Sequence, residues 1–245
     1  MESGFERYSR QIAIPGFGEA GQRKLEAAHV VVAGLGGLGS AASIYLVAAG
    51  VGHLTLIDAQ RVELSNLNRQ VLHWSPDVKR LKIESAMEKL HAMNPSVSIE
   101  AKAEKITWKN VDKLLRNADV VVDGMDNYQT RYLLNETCVR LHKPFVHGAV
   151  EGLTGQFTTI MPGDGPCLRC IIPKPPPKKR AFPVLSTTPG IIGCLQAMET
   201  IKLLTGMGEP LIGRMLFFDG QRASFEEIEI RRDPNCPVCG GMASL

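Results

Sequence analysis

The sequence contains no apolar run as long as the roughly 18 residues that a membrane span requires, so we expect no membrane partner. Its formal net charge is only +3, from 28 Lys and Arg against 25 Asp and Glu, and this small, dispersed charge argues against nucleic acid as a partner. The N-terminal residues 1–6 include acids and lack the basic and apolar regions of a secretory signal. We therefore expect a cytoplasmic protein.

The sequence has only six cysteines, and four of them form the pairs Cys167-x-x-Cys170 and Cys236-x-x-Cys239. In a chain without a secretory signal, such pairs favour a metal site over disulfides. Two short chelating turns supply the four thiolates of a tetrahedral zinc site, and four thiolates leave no open position for a substrate. We predict a structural zinc ion bound by all four. The alternative is two unrelated pairs of reduced thiols.

The chain length of 245 residues and the order of its apolar segments favour one integrated domain in three parts. These parts are an N-terminal helical arm (1–28), a nucleotide-binding Rossmann-like part (29–150), and a C-terminal part with a crossover loop, antiparallel strands and the zinc site (151–245). The βαβ alternation predicts an α/β fold with a doubly wound, mostly parallel sheet and helices on both faces. Predicted strands cover 29–33, 53–58, 97–101, 119–123, 144–148, 155–161, 215–219 and 223–230, and the proline-rich crossover covers 171–189.

A glycine-rich turn, Gly34-Leu35-Gly36-Gly37-Leu38-Gly39, lies between the first predicted strand and an apolar helix. A strand, a glycine turn and a helix N-terminus in this order form a cradle for nucleotide phosphates. Asp58 ends the second strand, 19 residues after Gly39, near the distance expected for an acid that binds a ribose hydroxyl. On this turn alone, a dinucleotide-dependent oxidoreductase remains an open alternative.

Charged residues elsewhere favour a triphosphate over a dinucleotide. Arg69 and Lys82 follow Asp58 along the chain, Asp126 and Asn127 follow the fourth strand, and Arg10 lies in the N-terminal arm. Several cations suit a triphosphate, and an acid at a strand end can hold Mg²⁺. Taken singly, Arg69 could form a surface ion pair, Lys82 could lie on a helix surface, and Asp126 could cap the next helix.

These motifs together resemble the family of ubiquitin-activating and MoeB/ThiF/HesA-type adenylyltransferases, from Arg7 to about Gly240. The resemblance rests on the Arg-Tyr-Ser-Arg-Gln segment at 7–11, the glycine turn, the Ser-Asn-Leu-Asn-Arg-Gln segment at 65–70, Asp126-Asn127 and the two cysteine pairs. It implies that Asp58 binds the ATP ribose and that Asp126 binds Mg²⁺. It also implies a homodimer in which Arg10 reaches the ATP phosphates of the partner subunit. The implied catalytic residues are Arg10, Arg69, Lys82 and Asp126, and the implied nucleotide-binding residues are Gly34, Gly36, Gly37, Gly39, Asp58, Ser65, Asn66, Arg69, Lys82, Asp126 and Asn127.

The implied reaction is attack of a carboxylate on the α-phosphate of ATP with release of pyrophosphate, which needs cations and positioning but no general base. The substrate most typical of the family is the C-terminal Gly-Gly carboxylate of a ubiquitin-like sulfur-carrier protein. Many relatives also use a cysteine in the crossover loop, but the segment 173–190 contains none, so a thiolate nucleophile is not expected. The alternatives are adenylation of a small carboxylate such as guanylylpyridinol, an NAD-dependent oxidoreductase, and a non-catalytic nucleotide-binding scaffold.

Overall fold

A computed structural model describes residues 4–177 and 183–241 of the chain. The N-terminal arm contains a short 3-10 turn, α1 (Ser9–Ile12) and α2 (Gly18–Ala27). The next part alternates strands and helices, as the apolar periodicity predicts. It consists of β1 (His29–Ala33), α3 (Gly37–Ala49), β2 (His53–Ile57), α4 (Lys82–Met93), β3 (Ser98–Lys102), α5 (Val111–Leu115), β4 (Val120–Asp123), α6 (Tyr128–Arg140) and β5 (Phe145–Glu151).

The C-terminal part begins with an antiparallel strand and ends in a hairpin. Its elements are β6 (Thr154–Ile160), α7 (Leu168–Ile171), α8 (Thr187–Thr205), β7 (Arg214–Asp219) and β8 (Ser224–Glu229). The predicted crossover of 171–189 is too long, because α8 begins at Thr187 and includes Pro189 in its first turn. Proline is tolerated there because the first N–H groups of a helix have no acceptor within the helix. The sequence of this crossover includes one basic cluster, Lys178-Lys179-Arg180, for which we expect a solvated loop and which lies outside the described residues.

Within the described residues, the strands form one sheet in the order β3-β2-β1-β4-β5-β6-β7-β8. The strands from β3 to β5 pair in parallel, whereas β6, β7 and β8 are antiparallel. This architecture confirms the predicted doubly wound sheet with an antiparallel extension. The three-part division remains a prediction, and β5 crosses its boundary at residue 150.

The two faces of the parallel sheet are buried by different helices. Val30 and Val32 of β1 pack into one apolar cluster with residues of α2, α3, α4 and α8. Val31 and Ala33, which alternate with them, pack into a second cluster with α5, α6 and three of the paired cysteines. A strand buried on both faces is expected to be apolar on both, as the residues of β1 after His29 are.

The chain proceeds outward from β1 to β2 and β3, then returns to place β4 on the other side of β1. Ligands of open α/β sheets bind outside the carboxyl ends of the strands at such a switch point. In this chain the ends of β1, β2 and β4 lead directly into Gly34, Asp58 and the 124–127 segment. The topology therefore brings the predicted site residues to one edge of the sheet.

Candidate functional site

The glycine turn connects β1 to α3, whose N-terminal residue is Gly37. Gly34 has a φ of +94°, and a β-carbon at this position would lie 2.7 Å from the Gly124 carbonyl oxygen. A β-carbon at Gly39 would lie 1.8 Å from the carbonyl oxygen of Gly34. Only glycine therefore fits either position, and the turn packs closely against the end of β4. The first N–H groups of α3, which have no acceptor inside the helix, are at the surface that this turn presents.

The Asp58 carboxylate is held by two backbone N–H groups. Its Oδ2 accepts a hydrogen bond from the Leu35 N–H at 2.8 Å, and its Oδ1 accepts one from the Gln60 N–H at 2.7 Å. The side chain is buried, yet it lines the open cleft in front of the turn. Asp58 thus fixes the glycine turn to the end of β2 while presenting an acid to the cleft.

Lys82 is the first residue of α4 and is only 3% exposed, so the surface-lysine alternative is wrong. Its Nζ donates a hydrogen bond to Gln60 Oε1 at 2.8 Å. Burial lowers the pKa of Lys82, while the charges of Asp58 and Asp126 oppose this shift. The Lys82 ammonium is buried, and its hydrogen-bond partner is a neutral amide. Its positive charge therefore remains available to attract an incoming anion.

The 65–69 segment contributes one cation and several polar groups. Arg69 Nη1 donates hydrogen bonds to the Ser65 carbonyl and to Asn68 Oδ1, both at 2.9 Å, and no ion pair of Arg69 occurs among the described residues. Asn66 is buried, and its Oδ1 accepts a hydrogen bond from the Glu63 N–H at 3.1 Å, which fixes a 3-10 turn. The guanidinium of Arg69 is therefore held by neutral acceptors at the cleft wall.

Asp126 and Asn127 have different roles at the start of α6. Asn127 is the N-cap residue, because its Oδ1 accepts a hydrogen bond from the Thr130 N–H at 2.9 Å. The alternative that Asp126 caps this helix is therefore wrong. Asp126 is exposed at the cleft, and its Oδ1 accepts a long hydrogen bond of 3.3 Å from Asn127 Nδ2.

An arginine that the sequence analysis missed holds the segment before Asp126. Arg131 Nη2 donates hydrogen bonds to the carbonyls of Met125, at 2.5 Å, and Gly148, at 3.0 Å. Its Nε lies 3.2 Å from Asp123 Oδ2, and both side chains are buried. Arg131 lies close to Asp126 and Asn127 in the sequence but belongs to no recognised motif, and only the fold shows that it reaches the backbone at the end of β4 and in β5.

These residues surround one open cleft of about 1330 Å³. Of the predicted site residues, ten line it: Gly34, Gly36, Gly37, Asp58, Ser65, Asn66, Arg69, Lys82, Asp126 and Asn127. Gly39 lies behind the turn, and the exposed Arg10 lies outside the lining of this chain's own cleft. The cleft continues across the antiparallel part of the sheet to Gln156, Phe217 and Arg222.

The four paired cysteines meet on the face of the parallel sheet that α5 and α6 cover. Their sulfur atoms all lie within 4.8 Å of one another. Cys167 Sγ is 3.7 Å from Cys236 Sγ, and Cys170 Sγ is 3.3 Å from Cys239 Sγ. A tetrahedral zinc ion with bonds of about 2.3 Å requires sulfurs about 3.8 Å apart, so the cluster fits this ion. The alternative of two unrelated thiol pairs is wrong, because the fold brings the pairs together.

The other two cysteines are poor nucleophiles. Cys138 is fully buried in α6, and burial raises the pKa of its thiol. Burial also raises the pKa of Cys194, which lies within α8. Thiols reach nucleophilic reactivity through a lowered pKa, so neither has the properties of a catalytic cysteine.

Comparison with known proteins matches residues 8–238 to the ThiF family. The chain belongs to the ThiF family. It is 45% identical over 239 residues to the heterocyst protein HesA of Trichormus variabilis, covering 97% of this chain and 90% of that protein. It is 46% identical over 240 residues to the SAMP-activating enzyme E1 of Haloferax volcanii, covering 96% and 88%. It is 45% identical over 246 residues to the sulfur carrier protein adenylyltransferase of Thermus thermophilus, covering 96% and 90%.

Solved structures similar to this ThiF-family chain include the E. coli protein MccB. The complex of MccB with ATP superposes with a TM-score of 0.86 at 27% identity, covering 96% of this chain and 74% of that one. The complex with MccA-N7isoASN gives a TM-score of 0.88 at 26% identity, covering 98% and 76%. Among the described residues of the ThiF-family chain, no helix is both long and apolar enough to cross a membrane.

Proposed function

We propose that this chain adenylates the C-terminal carboxylate of a small ubiquitin-like carrier protein that ends in Gly-Gly, using ATP and releasing pyrophosphate. The chain is an adenylyltransferase of the ThiF family, and its family membership replaces the oxidoreductase alternative. The observation that carries the proposal is that one cleft is lined by the glycine turn, Arg69, Lys82 and Asp126. The same cleft continues over the antiparallel strands.

In the proposed reaction, an oxygen of the substrate carboxylate attacks the α-phosphorus of ATP and the bond from this phosphorus to the pyrophosphate oxygen breaks. The products are an acyl-adenylate and pyrophosphate. The carboxylate is already ionised near neutral pH, so no protein group needs to remove a proton. Lys82 and Arg69 would offset the negative charge of the phosphates, which repels the incoming carboxylate. The glycine turn and Asp58 would hold the phosphates and the ribose in line.

The donor set at this cleft fits a magnesium ion, which when bound supplies charge neutralisation on the phosphates. Mg²⁺ is commonly held by one or two carboxylates together with substrate phosphates and waters. Asp126 offers one exposed carboxylate on the cleft wall, beyond the carboxyl end of β4. We assign to Asp126 the role of the protein ligand, with ATP completing the site.

The size of the cleft favours a protein tail over a small acid as the substrate. Pockets for small ligands usually enclose about 300–1000 Å³. The cleft of about 1330 Å³ exceeds this range and leads from the nucleotide residues to the surface of β7 and β8. Two relatives of similar length, the sulfur carrier protein adenylyltransferase and the SAMP-activating enzyme E1, have names that refer to such carriers.

The adenylate is proposed to be the last covalent species that this chain forms. The segment 173–190 contains no cysteine, and the thiol of Cys194 has a raised pKa within α8. A thioester with the enzyme therefore has no suitable nucleophile in this segment. We propose that a sulfur donor outside this chain attacks the carrier adenylate.

We further propose that the active form is a homodimer in which Arg10 enters the cleft of the partner subunit. Arg10 is exposed and does not line the cleft of its own chain. An apolar surface is also available for a second copy. Tyr45 of α3 is 53% exposed and contacts Cys194 of α8, and Met198, one helical turn further along α8, is 58% exposed.

ATP–pyrophosphate exchange tests the proposed function. The assay compares a ubiquitin-like carrier that ends in Gly-Gly, the same carrier with a C-terminal amide, and small carboxylic acids such as guanylylpyridinol. We expect exchange with the free carboxylate and none with the amide, because the amide cannot attack the phosphate. Exchange stimulated by a small acid alone would contradict the carrier proposal, and binding of NAD without binding of ATP would contradict adenylation.

Complementation tests the shared site. We expect the Arg10→Ala and Lys82→Ala chains to be inactive when each is assayed alone. The two are then mixed and allowed to exchange subunits. In a mixed dimer, one cleft contains both Lys82 and an intact partner Arg10, so mixing restores about a quarter of the wild-type exchange rate. No recovery in a sample that contains mixed dimers would rule out the contribution of Arg10 across the interface.

A further inference from the structure

A buried histidine lies behind the glycine turn, outside the cleft that the turn lines. His73 follows the 65–70 segment and is only 3% exposed. Its Nε2 lies 3.1 Å from the carbonyl oxygen of Leu35, the second residue of the turn. Its Nδ1 lies 2.9 Å from Ser85 Oγ on α4. The imidazole thus connects the glycine turn to the helix that begins at Lys82.

The partners of His73 determine its tautomer. A backbone carbonyl can only accept a hydrogen bond, so Nε2 carries the proton. Lys89 Nζ lies 3.0 Å from Ser85 Oγ, and an ammonium can only donate, so the Ser85 hydroxyl accepts from Lys89. In a neutral imidazole with its proton on Nε2, Nδ1 is an acceptor, and the Ser85 hydroxyl donates to it. The chain of hydrogen bonds then has one direction, from Lys89 through Ser85 and His73 to the Leu35 carbonyl. This direction requires neutral imidazole.

The hydrogen bond to the Leu35 carbonyl also orients the next peptide N–H. In a trans peptide the C=O and the following N–H point in opposite directions, and the described residues contain no cis peptide bond. When His73 holds the Leu35 carbonyl away from the cleft, the Gly36 N–H points toward it. On its other side, Leu35 donates its own N–H to Asp58 Oδ2 at 2.8 Å. The Leu35 residue is therefore held from both sides; Ser40 Oγ, at 3.4 Å, makes only a long additional contact with its carbonyl.

We propose that His73 is a positioning residue for adenylation, whose Nε2–H holds the Leu35 carbonyl so that the Gly36 N–H faces the nucleotide phosphates. The proposal rests on the proposed use of ATP at this cleft. His73 touches neither substrate and acts on the nucleotide site only through the Leu35 carbonyl. Its substitution therefore changes the affinity for ATP and leaves the affinity for the carrier unaffected.

Protonation of His73 changes the Nδ1 side of this arrangement, because Nε2–H donates to the Leu35 carbonyl in both protonation states. A second proton, on Nδ1, would make the Ser85 hydroxyl accept from His73 as well as from Lys89 and would place a cation near Lys82. Burial, with the charges of these lysines, lowers the pKa of His73, while the Leu35 carbonyl and Asp58 favour the charged form. Asp77, which is paired with Lys89 at 2.6 Å and with Arg80 at 2.8 Å, adds a negative charge to this cluster. Because burial lowers the pKa of His73 from its usual value, the imidazole is neutral at neutral pH.

Four variants and the wild type are compared by pyrophosphate exchange and by calorimetric titration with ATP. His73→Gln retains an N–H donor near the position of Nε2, and His73→Phe fills the volume without any donor. Ser85→Ala removes the partner of Nδ1. His91→Phe, an equivalent change at an exposed position of α4, is the matched control.

We expect His73→Phe to raise the KM and Kd for ATP about tenfold, as the loss of one orienting hydrogen bond implies, with an unchanged KM for the carrier. His73→Gln stays within about threefold of the wild type, and Ser85→Ala raises the KM for ATP by a smaller factor than His73→Phe. Between about pH 8 and about pH 5, the KM for ATP of His73→Gln stays within about threefold of that of the wild type, because Nε2–H donates to the Leu35 carbonyl in both protonation states.

Equal effects of His73→Phe and His91→Phe, or equal KM values for ATP in His73→Phe and the wild type, would overturn the inference. If His73→Phe fails to fold, His73→Leu, which also lacks a donor, takes its place, and a KM for ATP equal to that of the wild type overturns the inference. A wild type that does not bind ATP in the calorimeter would contradict the proposed function itself, so the two failures are distinct.

Discussion

Replacing Asp126 by asparagine separates the chemistry of this chain from its stability. The substitution keeps the size of the side chain and removes one exposed negative charge beyond β4. In the folded chain, the Asp126 carboxylate accepts a hydrogen bond from Asn127 Nδ2 whose length is 3.3 Å. An exposed side chain with one long hydrogen bond contributes little, so we expect the free energy of unfolding to change by less than about 0.5 kcal/mol.

The expected effect of Asp126→Asn on activity is far larger. Asp126 is the proposed protein ligand of Mg²⁺, and its charge lies close enough to act on the pKa of Lys82. A metal ion contributes several kcal/mol to stabilising charge on a phosphoryl group, so a weakened site lowers the exchange rate by at least about a hundredfold. Raising the magnesium concentration is expected to recover part of the rate, because the substitution weakens binding of the ion.

Asn127→Ala provides the matched control for stability. It removes the side-chain acceptor that caps α6, which costs about 1 kcal/mol and lowers Tm by about 2–4 °C in a chain of this size. Both variants are compared by thermal unfolding and by pyrophosphate exchange at several magnesium concentrations. Full exchange by Asp126→Asn, or a Tm that falls as far as that of Asn127→Ala, would refute the assignment of Asp126 to the reaction rather than to the fold.

The other predictions concern the buried lysine, the cysteine cluster and a buried ion pair. Lys82→Met keeps the volume of a buried side chain and removes its charge, so exchange falls by at least about a hundredfold while stability to urea changes by less than about 1 kcal/mol; a large loss of stability would make Lys82 structural. Cys236→Ser abolishes stoichiometric zinc in metal analysis and lowers the free energy of unfolding by about 2 kcal/mol or more, and an unchanged Tm would exclude a structural ion. Burial alone would raise the pKa of Asp77, but hydrogen bonds from Lys89 and the Trp74 N–H lower it to about 2. The stability that Asp77 contributes is therefore complete above about pH 4 and is lost as the pH falls toward 2. Asp77→Asn lowers the free energy of unfolding by about 2 kcal/mol at neutral pH and removes this pH dependence, as urea unfolding at several pH values would measure.

Local sequence patterns were sufficient to predict the parallel half of the fold and the wall of the cleft. The apolar run of β1 was predicted to be a strand of a mostly parallel sheet, and its burial on both sheet faces is typical of such strands. Asp58 and Asp126 could be placed together because each follows a parallel strand, and the ends of such strands meet at one edge. The cluster of four cysteines was predictable for a chemical reason, since two short chelating pairs are the ligand pattern of a tetrahedral zinc site, and zinc itself remains a prediction.

The remaining features depend on contacts between distant segments. The burial of Lys82 results from the way α4 packs beside the end of β2, and its sequence position alone equally allowed a surface lysine. Neither Arg131 nor His73 belongs to a motif, and each acquires its role by reaching a backbone carbonyl that the fold brings close. Magnesium, the homodimer and the cytoplasmic location remain predictions.

The end of β4 shows why counting charged residues overestimates the groups available to a substrate. The sequence places two acids within four residues, Asp123 and Asp126, but Asp123 is fully buried. Its Oδ1 accepts the Met125 N–H at 3.0 Å, and its Oδ2 lies 2.7 Å from His147 Nδ1 and 3.2 Å from Arg131 Nε. Both of its oxygens have partners inside the protein and the side chain is fully buried, so of these two acids only Asp126 can meet a metal or a nucleotide. Because Asp123 and Arg131 also bind the backbone of Met125, the buried acid fixes the position from which the exposed acid acts.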